Sequence, residues 1–333
     1  MPLTELLGLP VRIDRYELEQ LSFGISPEFT RYTTVIHLHG EGEEGVGEDV
    51  TYIADDQLAF QEDGAVLDLA GEHTLDSFSA ALPGDLYDYR RWAFESAALD
   101  LALRQAGRSL ADAVGREARP LTYVVSTRQG IDEWRSLYPG LRFKLDAEND
   151  WTDDVVTRLA GTGAVDTIDL KGHYRGTPVD LLPDPELYGR VCEGFPQAWI
   201  EDAWVDDSTR PVLEPHADRL TWDAPVHSVA DAEALPFRPR CLNVKPSRFG
   251  SLRRLFEFYA WCEAQGVAMY GGGQFELGPG RGQVQLLASL FHPDMPNDVA
   301  PAGFNTGGPR PGLPASPLEL RPRATGFLLE RAE

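Results

Sequence analysis

Lysine is nearly absent from this chain. Three residues, Lys144, Lys171 and Lys245, stand against 27 arginines, so solvation of the surface does not explain why any lysine is kept. Arginine remains charged at every usable pH, whereas a lysine can give up a proton inside a site and so serve as a base. Cysteine is equally scarce. Cys192, Cys241 and Cys262 have no CxxC spacing and an odd count, which argues against a disulfide framework or a zinc knuckle and predicts buried, reduced thiols in a cytoplasmic protein. Positive charge is in deficit, with 53 acidic against 30 basic residues and a net charge of -23. That balance excludes a surface built for nucleic acid or an anionic membrane, both of which need clustered cations. No stretch reaches the roughly 18 apolar residues of a membrane span, and the first residues lack a basic segment followed by an apolar run, so a soluble, unexported protein is expected.

What is present suggests a barrel with an addition. At 333 residues the chain can bury a large core as one barrel plus a smaller domain, or as two ordinary domains. Residues 10–70 hold short alternating runs, "RYTTVIHLHG" and "EDVTYIA", around the turn-rich "GEGEEGVGED", the pattern of an antiparallel meander. His37 and His39 share one strand face there and, without a third ligand, read as ordinary strand residues. From Leu86 to Val114 the spacing predicts a helix with Phe94, Ala98 and Leu101 on one stripe, interrupted at Gly107. After "GREARP" seven apolar runs, "LTYVVST", "LRFKLD", "VDTIDL", "AWIEDA", "RLTWDA", "CLNVKP" and "VAMYGGG", alternate with helical segments. Strands alternating with helices imply parallel units, and their number suits a (β/α)8-type barrel better than an open sheet.

Polar residues end those runs: Lys144, Asp169, Glu201, Asp223 and Lys245. In a parallel barrel the C-terminal strand ends converge on one mouth. Three carboxylates gathered there repel unless a cation neutralises them, and oxygen ligands suit Mg2+ or Mn2+. A lone Asp at a strand end is more often a helix cap; five ordered polar ends, two of them scarce lysines, favour a site. A divalent ion facing two lysines implies removal of the proton alpha to a substrate carboxylate, through an enediolate stabilised by the ion. The enolase superfamily is a general example of that pairing.

Several segments resemble that superfamily, and specifically its muconate-lactonizing subgroup, over residues of about 30 to 300. "EEGVGED" resembles the GxGE turn of the family's capping domain, and "AFESAALDLALRQAGRSLADAVG" its helix before the barrel. "RFK" resembles the KxK of the second strand, with Arg142 first and Lys144 in the catalytic place; "WIEDA" resembles the metal strand carrying Glu201. "LNVKPSRFGS" and "YGGGQFELGPGR" are similar to segments of o-succinylbenzoate synthases and N-succinylamino acid racemases.

The resemblance implies a modified TIM (β/α)7β-type barrel over residues 118–313, with an α+β cap from residues 1–117 and a tail, 314–333, returning to it. It also implies Lys144 and Lys245 as catalytic residues and Asp169, Glu201 and Asp223 as metal ligands. The substrate pocket would include Arg142, Lys171, Gly272, Gly273, Gln274 and Glu276. Two departures stand out: Lys171 replaces the usual Asn of the third strand, and "WDAPVHS" keeps Asp223 but lacks the acid that often follows it. A racemase or epimerase acting on a small carboxylate is the leading expectation; a lyase using the same site, or a catalytically silent binding protein, are the alternatives. Fold-level likeness does not choose between them. Substrate choice in the family depends on a cap loop, here "FGISPEFTRY", and on the last two strands, and assembly into a homo-oligomer is left open.

Overall fold

The computed structural model describes residues 3–26, 29–177 and 179–330. Pro27 and Glu28 of the cap-loop segment, and the last three residues of the tail, lie outside the described residues. Five strands build the first part of the chain: β1 (Pro10–Ile13), β2 (Arg15–Ser26), β3 (Phe29–Gly40), β4 (Glu43–Asp49) and β5 (Gly71–Thr74). β2, β3 and β4 form an antiparallel meander, and β1 pairs antiparallel with β5. His37 lies on the solvent side of β3, where its ring contacts Glu44 at 2.7 Å and Glu19 at 3.2 Å across the neighbouring strands.

The segment "EEGVGED" is strand β4 rather than a turn, and its glycines have a steric cause. A Cβ on Gly47 would fall 2.0 Å from the carbonyl oxygen of Ala93, and one on Gly45 2.3 Å from that of Ala97. Only glycine lets the strand lie this close to the helix Asp88–Gln105. That helix is buried from Trp92 through Leu103, mostly by apolar or small residues, and its two buried acids, Glu95 and Asp100, accept from the amides of Leu252 and Phe327. It stops where expected, at Gly107 with φ 62°, and a second helix, Leu110–Val114, begins with a reciprocal cap between Ser109 and Asp112.

All seven apolar runs of the second part are strands: β6 (Val125–Thr127), β7 (Phe143–Asp146), β8 (Val165–Asp169), β9 (Trp199–Glu201), β10 (Leu220–Thr221), β11 (Cys241–Val244) and β12 (Ala268–Gly271). β6 to β10 run parallel in sequence order, and β11 pairs parallel with β12. A hydrogen bond from the Asn243 amide to the Trp222 carbonyl, 3.1 Å, links the two groups. Asn297 and Asp298 take the eighth place, bridging parallel to Tyr123 on one side and Gly272 on the other. The result is a (β/α)7β-type barrel with an α+β cap. After the barrel the chain returns to the cap: Phe327 donates its amide to Asp100, 2.6 Å, and sets its ring edge-on against Trp92.

Two buried charges join cap to barrel. Arg31 of β3 donates to the carbonyls of Val50 and Thr51 in the cap and to those of Gln274 and Phe275 beyond β12. Glu48 of β4 accepts from the amides of Leu277, Gly278 and Gly280 at the start of the helix Pro279–Phe291, where a helix N-terminus favours a carboxylate. Among the described residues no helix is long and apolar enough to cross a membrane.

Candidate active site

The three lysines of the chain meet at one end of the barrel. Lys144 on β7 is sealed, with 2% of its side chain exposed; its ammonium contacts Glu201, Asp169 at 3.1 Å and Asp298 at 3.6 Å. Lys171, two residues beyond Asp169, reaches Asp169 at 2.5 Å and Asp146 at 3.2 Å. Lys245 follows β11 and lies 2.6 Å from Asp223. Asp169, Glu201, Asp202 and Asp223 are all buried among these cations.

Burial dominates the charge states. It raises the Glu201 carboxyl, helped by Asp169 and Asp223, to about 8 in spite of Lys144. Asp202 is likewise pushed up to about 7 by burial and by the charges of Asp223 and Asp169. Burial would raise Asp169 and Asp223 too, but Lys171 and Lys144 hold the first, and Arg248 and Lys245 the second, well below the usual carboxylate range. Lys144 would be lowered by its burial, yet Glu201 and Asp169 carry it well above the ordinary lysine value. Two of the four carboxyls are thus short of positive charge.

A divalent cation would supply that charge, and the donors suit one. Asp169, Glu201 and Asp202 each offer an oxygen within 4.8 Å of the others, and all-oxygen donors suit a hard ion. Glu201 is aimed by its neighbours: Tyr270 donates a short hydrogen bond to Oε2, and Asn243 Nδ2 donates to the same oxygen at 3.2 Å. The Oδ1 atoms of Asp223 and Asn243 are buried without a hydrogen-bond partner.

The expected site residues fall in several places. Asp202 falls within the compact group of three with Asp169 and Glu201, and Asp223, the third expected ligand, lies beside it, paired with Lys245 and Arg248 at 2.6 and 3.2 Å. Strand alternation directs Asp202 away from the mouth, but a left-handed turn, φ 54°, brings its carboxylate round to accept from the amides of Asp223 and Ala224. Arg142 lies apart from the buried lysines and carboxylates. It precedes β7, at the far end of the strand, where it is exposed and bonds Asp166 at 2.6 Å and the Gly163 carbonyl. Lys144 lies beneath the carboxylates rather than at the strand end; Asp146, paired across from Asp169, occupies that level.

Gly272 and Gly273 serve by having no side chain. A Cβ on the first would fall 2.6 Å from Cε of Lys245, and one on the second 2.6 Å from the Arg281 guanidinium. Gln274 and Glu276 lie at the seam with the cap: Gln274 donates to the Tyr89 hydroxyl, and Glu276 pairs with Arg281 at 2.9 Å. Tyr174 spans the mouth, donating to Asp223 at 3.2 Å and accepting from Arg248 at 2.9 Å. Asn243 and Tyr270 were legible in principle, since each precedes a strand-end residue by two and so shares its side of the strand. Asp298 carried no signal, because its strand is too short to form an apolar run.

Comparison with known proteins bears on the family and the fold. Residues 4–113 match the N-terminal domain model, and residues 117–306 the C-terminal domain model, of a family described as domain of unknown function DUF8230. A curated relative, o-succinylbenzoate synthase of Bacillus subtilis, is 25% identical over 217 residues. The match covers 62% of this chain and 57% of the relative's length. Two solved structures share the fold. An enolase-superfamily member from Listeria innocua has a TM-score of 0.70 at 18% identity, covering 88% of this chain and 86% of its own. A dipeptide epimerase from Methylococcus capsulatus, complexed with a magnesium ion, has a TM-score of 0.66 at 18% identity, covering 86% of this chain and 89% of its own. The fold is that of the enolase superfamily.

Proposed function

On the premise that this chain belongs to the DUF8230 family, with both domains of that family built on an enolase-superfamily fold, we propose that it is a divalent-metal-dependent enzyme removing the proton alpha to a substrate carboxylate. Racemisation or epimerisation is the preferred outcome. The observation that carries this reading is the meeting of every lysine in the chain with a cluster of buried, charge-deficient carboxyls at the barrel mouth. Asp169, Glu201 and Asp202 would hold Mg2+ or Mn2+, and the magnesium ion of the structurally similar epimerase supports that choice. The ion's chemistry there is to offset negative charge gathering on the substrate carboxylate.

The chain's own groups would do the rest. Lys245 Nζ, oriented by Asp223 at 2.6 Å, would take the proton as the Cα–H bond breaks, and the electron pair would pass into the carboxylate to give an enediolate. A proton delivered to the opposite face inverts the centre; loss of a beta substituent instead would make the reaction an elimination. The curated relative, an o-succinylbenzoate synthase, favours that second outcome. The pairing of Lys171 with Asp169 favours a third, a silent binding protein whose lysine stands in for the ion.

Isotope exchange separates the three. In heavy water with Mg2+, N-succinylated amino acids and dipeptides recovered after incubation should carry deuterium at the alpha carbon. Glu201→Gln and Lys245→Ala should each lower that exchange by several orders of magnitude. An unsaturated acid product without exchange would establish the lyase, and no reaction by any member of the panel would contradict the enzymatic reading for this substrate class.

A further inference from the structure

His227 is held through both ring nitrogens, and each of the three groups within hydrogen-bonding reach of them can only accept. Nδ1 lies 2.9 Å from the Arg248 carbonyl oxygen and 3.4 Å from Asp88 Oδ2, and Nε2 lies 3.2 Å from the Ala224 carbonyl oxygen. A neutral imidazole has one N–H and one lone pair, whereas the imidazolium has two N–H groups. In either neutral tautomer one nitrogen would turn its lone pair on a carbonyl oxygen. Only the protonated ring serves both sides. Asp88 supplies the carboxylate that matches its charge, and the hydrogen bond to Asp88 raises His227 above its ordinary 6.5, against burial and the nearby charge of Arg248.

The three contacts come from three parts of the mouth. Ala224 follows β10, Arg248 lies in the short helical turn Pro246–Phe249 directly after Lys245, and Asp88 opens the cap helix Asp88–Gln105. The fit between them is close. Gly250 ends the turn at φ 68°, and a Cβ there would fall 2.4 Å from Asp88 Oδ1. Arg254, from the helix Leu252–Gln265, bonds the same oxygen at 3.1 Å, which leaves Oδ2 to His227. The backbone of His227 is fixed as well: its amide donates to Asp231 Oδ2 at 3.0 Å, and that oxygen also accepts from the Ser228 hydroxyl at 2.8 Å. Asp88, Asp231, Arg248 and Arg254 are thus the charged groups around the ring, which is partly exposed and open to proton exchange with solvent.

We propose that His227 is a positioning residue which, as the imidazolium, holds the turn after Lys245 against the cap helix and the loop after β10. The inference rests on the reading of the mouth as the active site, where Lys245 is the base and the gripped turn begins at the next residue. It adds a proton dependence to that grip. Because the folded chain binds this proton more tightly than the unfolded chain, the contribution is complete below 6.5 and is lost as pH rises through the folded-state value. The turn and the start of the cap helix are therefore held less firmly on the alkaline side.

The seven histidines of the chain can be followed by 15N NMR of the native protein, and the ring signal missing in His227→Gln assigns His227. Its midpoint should lie above 6.5, and Asp88→Asn should lower it. Should His227→Gln fail to fold, the ring signal displaced in Asp88→Asn identifies the residue. Hydrogen exchange at about pH 6 tests the grip itself. The amides of Arg248 and Ser251, which bond the carbonyls of Lys245 and Phe249, should exchange about tenfold faster in His227→Gln, while those of β8 keep their rates. A midpoint at or below 6.5, or one unmoved by Asp88→Asn, would overturn the protonated contact. Unchanged exchange at Arg248 and Ser251, or an acceleration shared by β8, would overturn the positioning role. Neither measurement uses metal or substrate, so failure here and failure of the isotope exchange are separate results.

Discussion

Two lysines that look alike in sequence are separated by what surrounds them. Lys144 compensates Glu201 and Asp169 in a closed space, and removing one partner of a buried pair leaves the others uncompensated, at about 3–5 kcal/mol. Lys144→Met should therefore lower unfolding free energy by about that amount, as read by denaturant titration. Lys171→Met should lose less than half as much, since Asp169 keeps Lys144. Equal losses would show that both are structural. The sequence marked the scarce lysines as unusual but could not rank them. Residues 144 and 146 point to the same side of one strand, and only the pairing with β8 tells which stands at its end. Asp202 was hidden for a related reason, since period-two alternation gives no warning of a left-handed residue.

At the scale of elements, the ends of strands and helices carry the information. Seven apolar runs and the break at Gly107 were readable because burial on both faces of a parallel strand, and a glycine in a helix, leave direct marks in composition. The eighth barrel position left none, and the Asn297 side chain reinforces its short backbone bridges. Asn297 donates to the carbonyls of Thr122, His292 and Met295, and its Oδ1 accepts from the Gly271 amide and from His292. That oxygen can only accept, so the His292 proton is on Nδ1 and the buried Nε2 has no partner. Burial accordingly lowers His292 to about 4 from its ordinary 6.5. Between those values the unfolded chain binds a proton that the folded chain refuses, so stability falls as pH drops from about 6.5 to 4, by up to roughly 3 kcal/mol. His292→Gln should flatten the dependence of unfolding free energy on pH across that window. An unchanged slope would mean that His292 is not the group responsible.

For the whole molecule, the barrel brings together acids and lysines that are distant in the chain, and the cap fixes the loop that follows β12. Arg31 and Glu48 fasten the two parts through backbone groups of residues 274–280, which is why Gln274 and Glu276 lie at a seam where the family pattern suggested a substrate contact. Architecture was legible because hydrophobic periodicity determines it; the cluster's full membership was less so, because Asp202 reaches it only through a left-handed backbone turn. The central claim, that these carboxyls bind a divalent cation, is tested most directly by calorimetric titration of the native protein with Mg2+. One site per chain, severely weakened in Glu201→Gln, is the predicted result. No heat of binding, or an affinity unchanged by Glu201→Gln, would contradict the account.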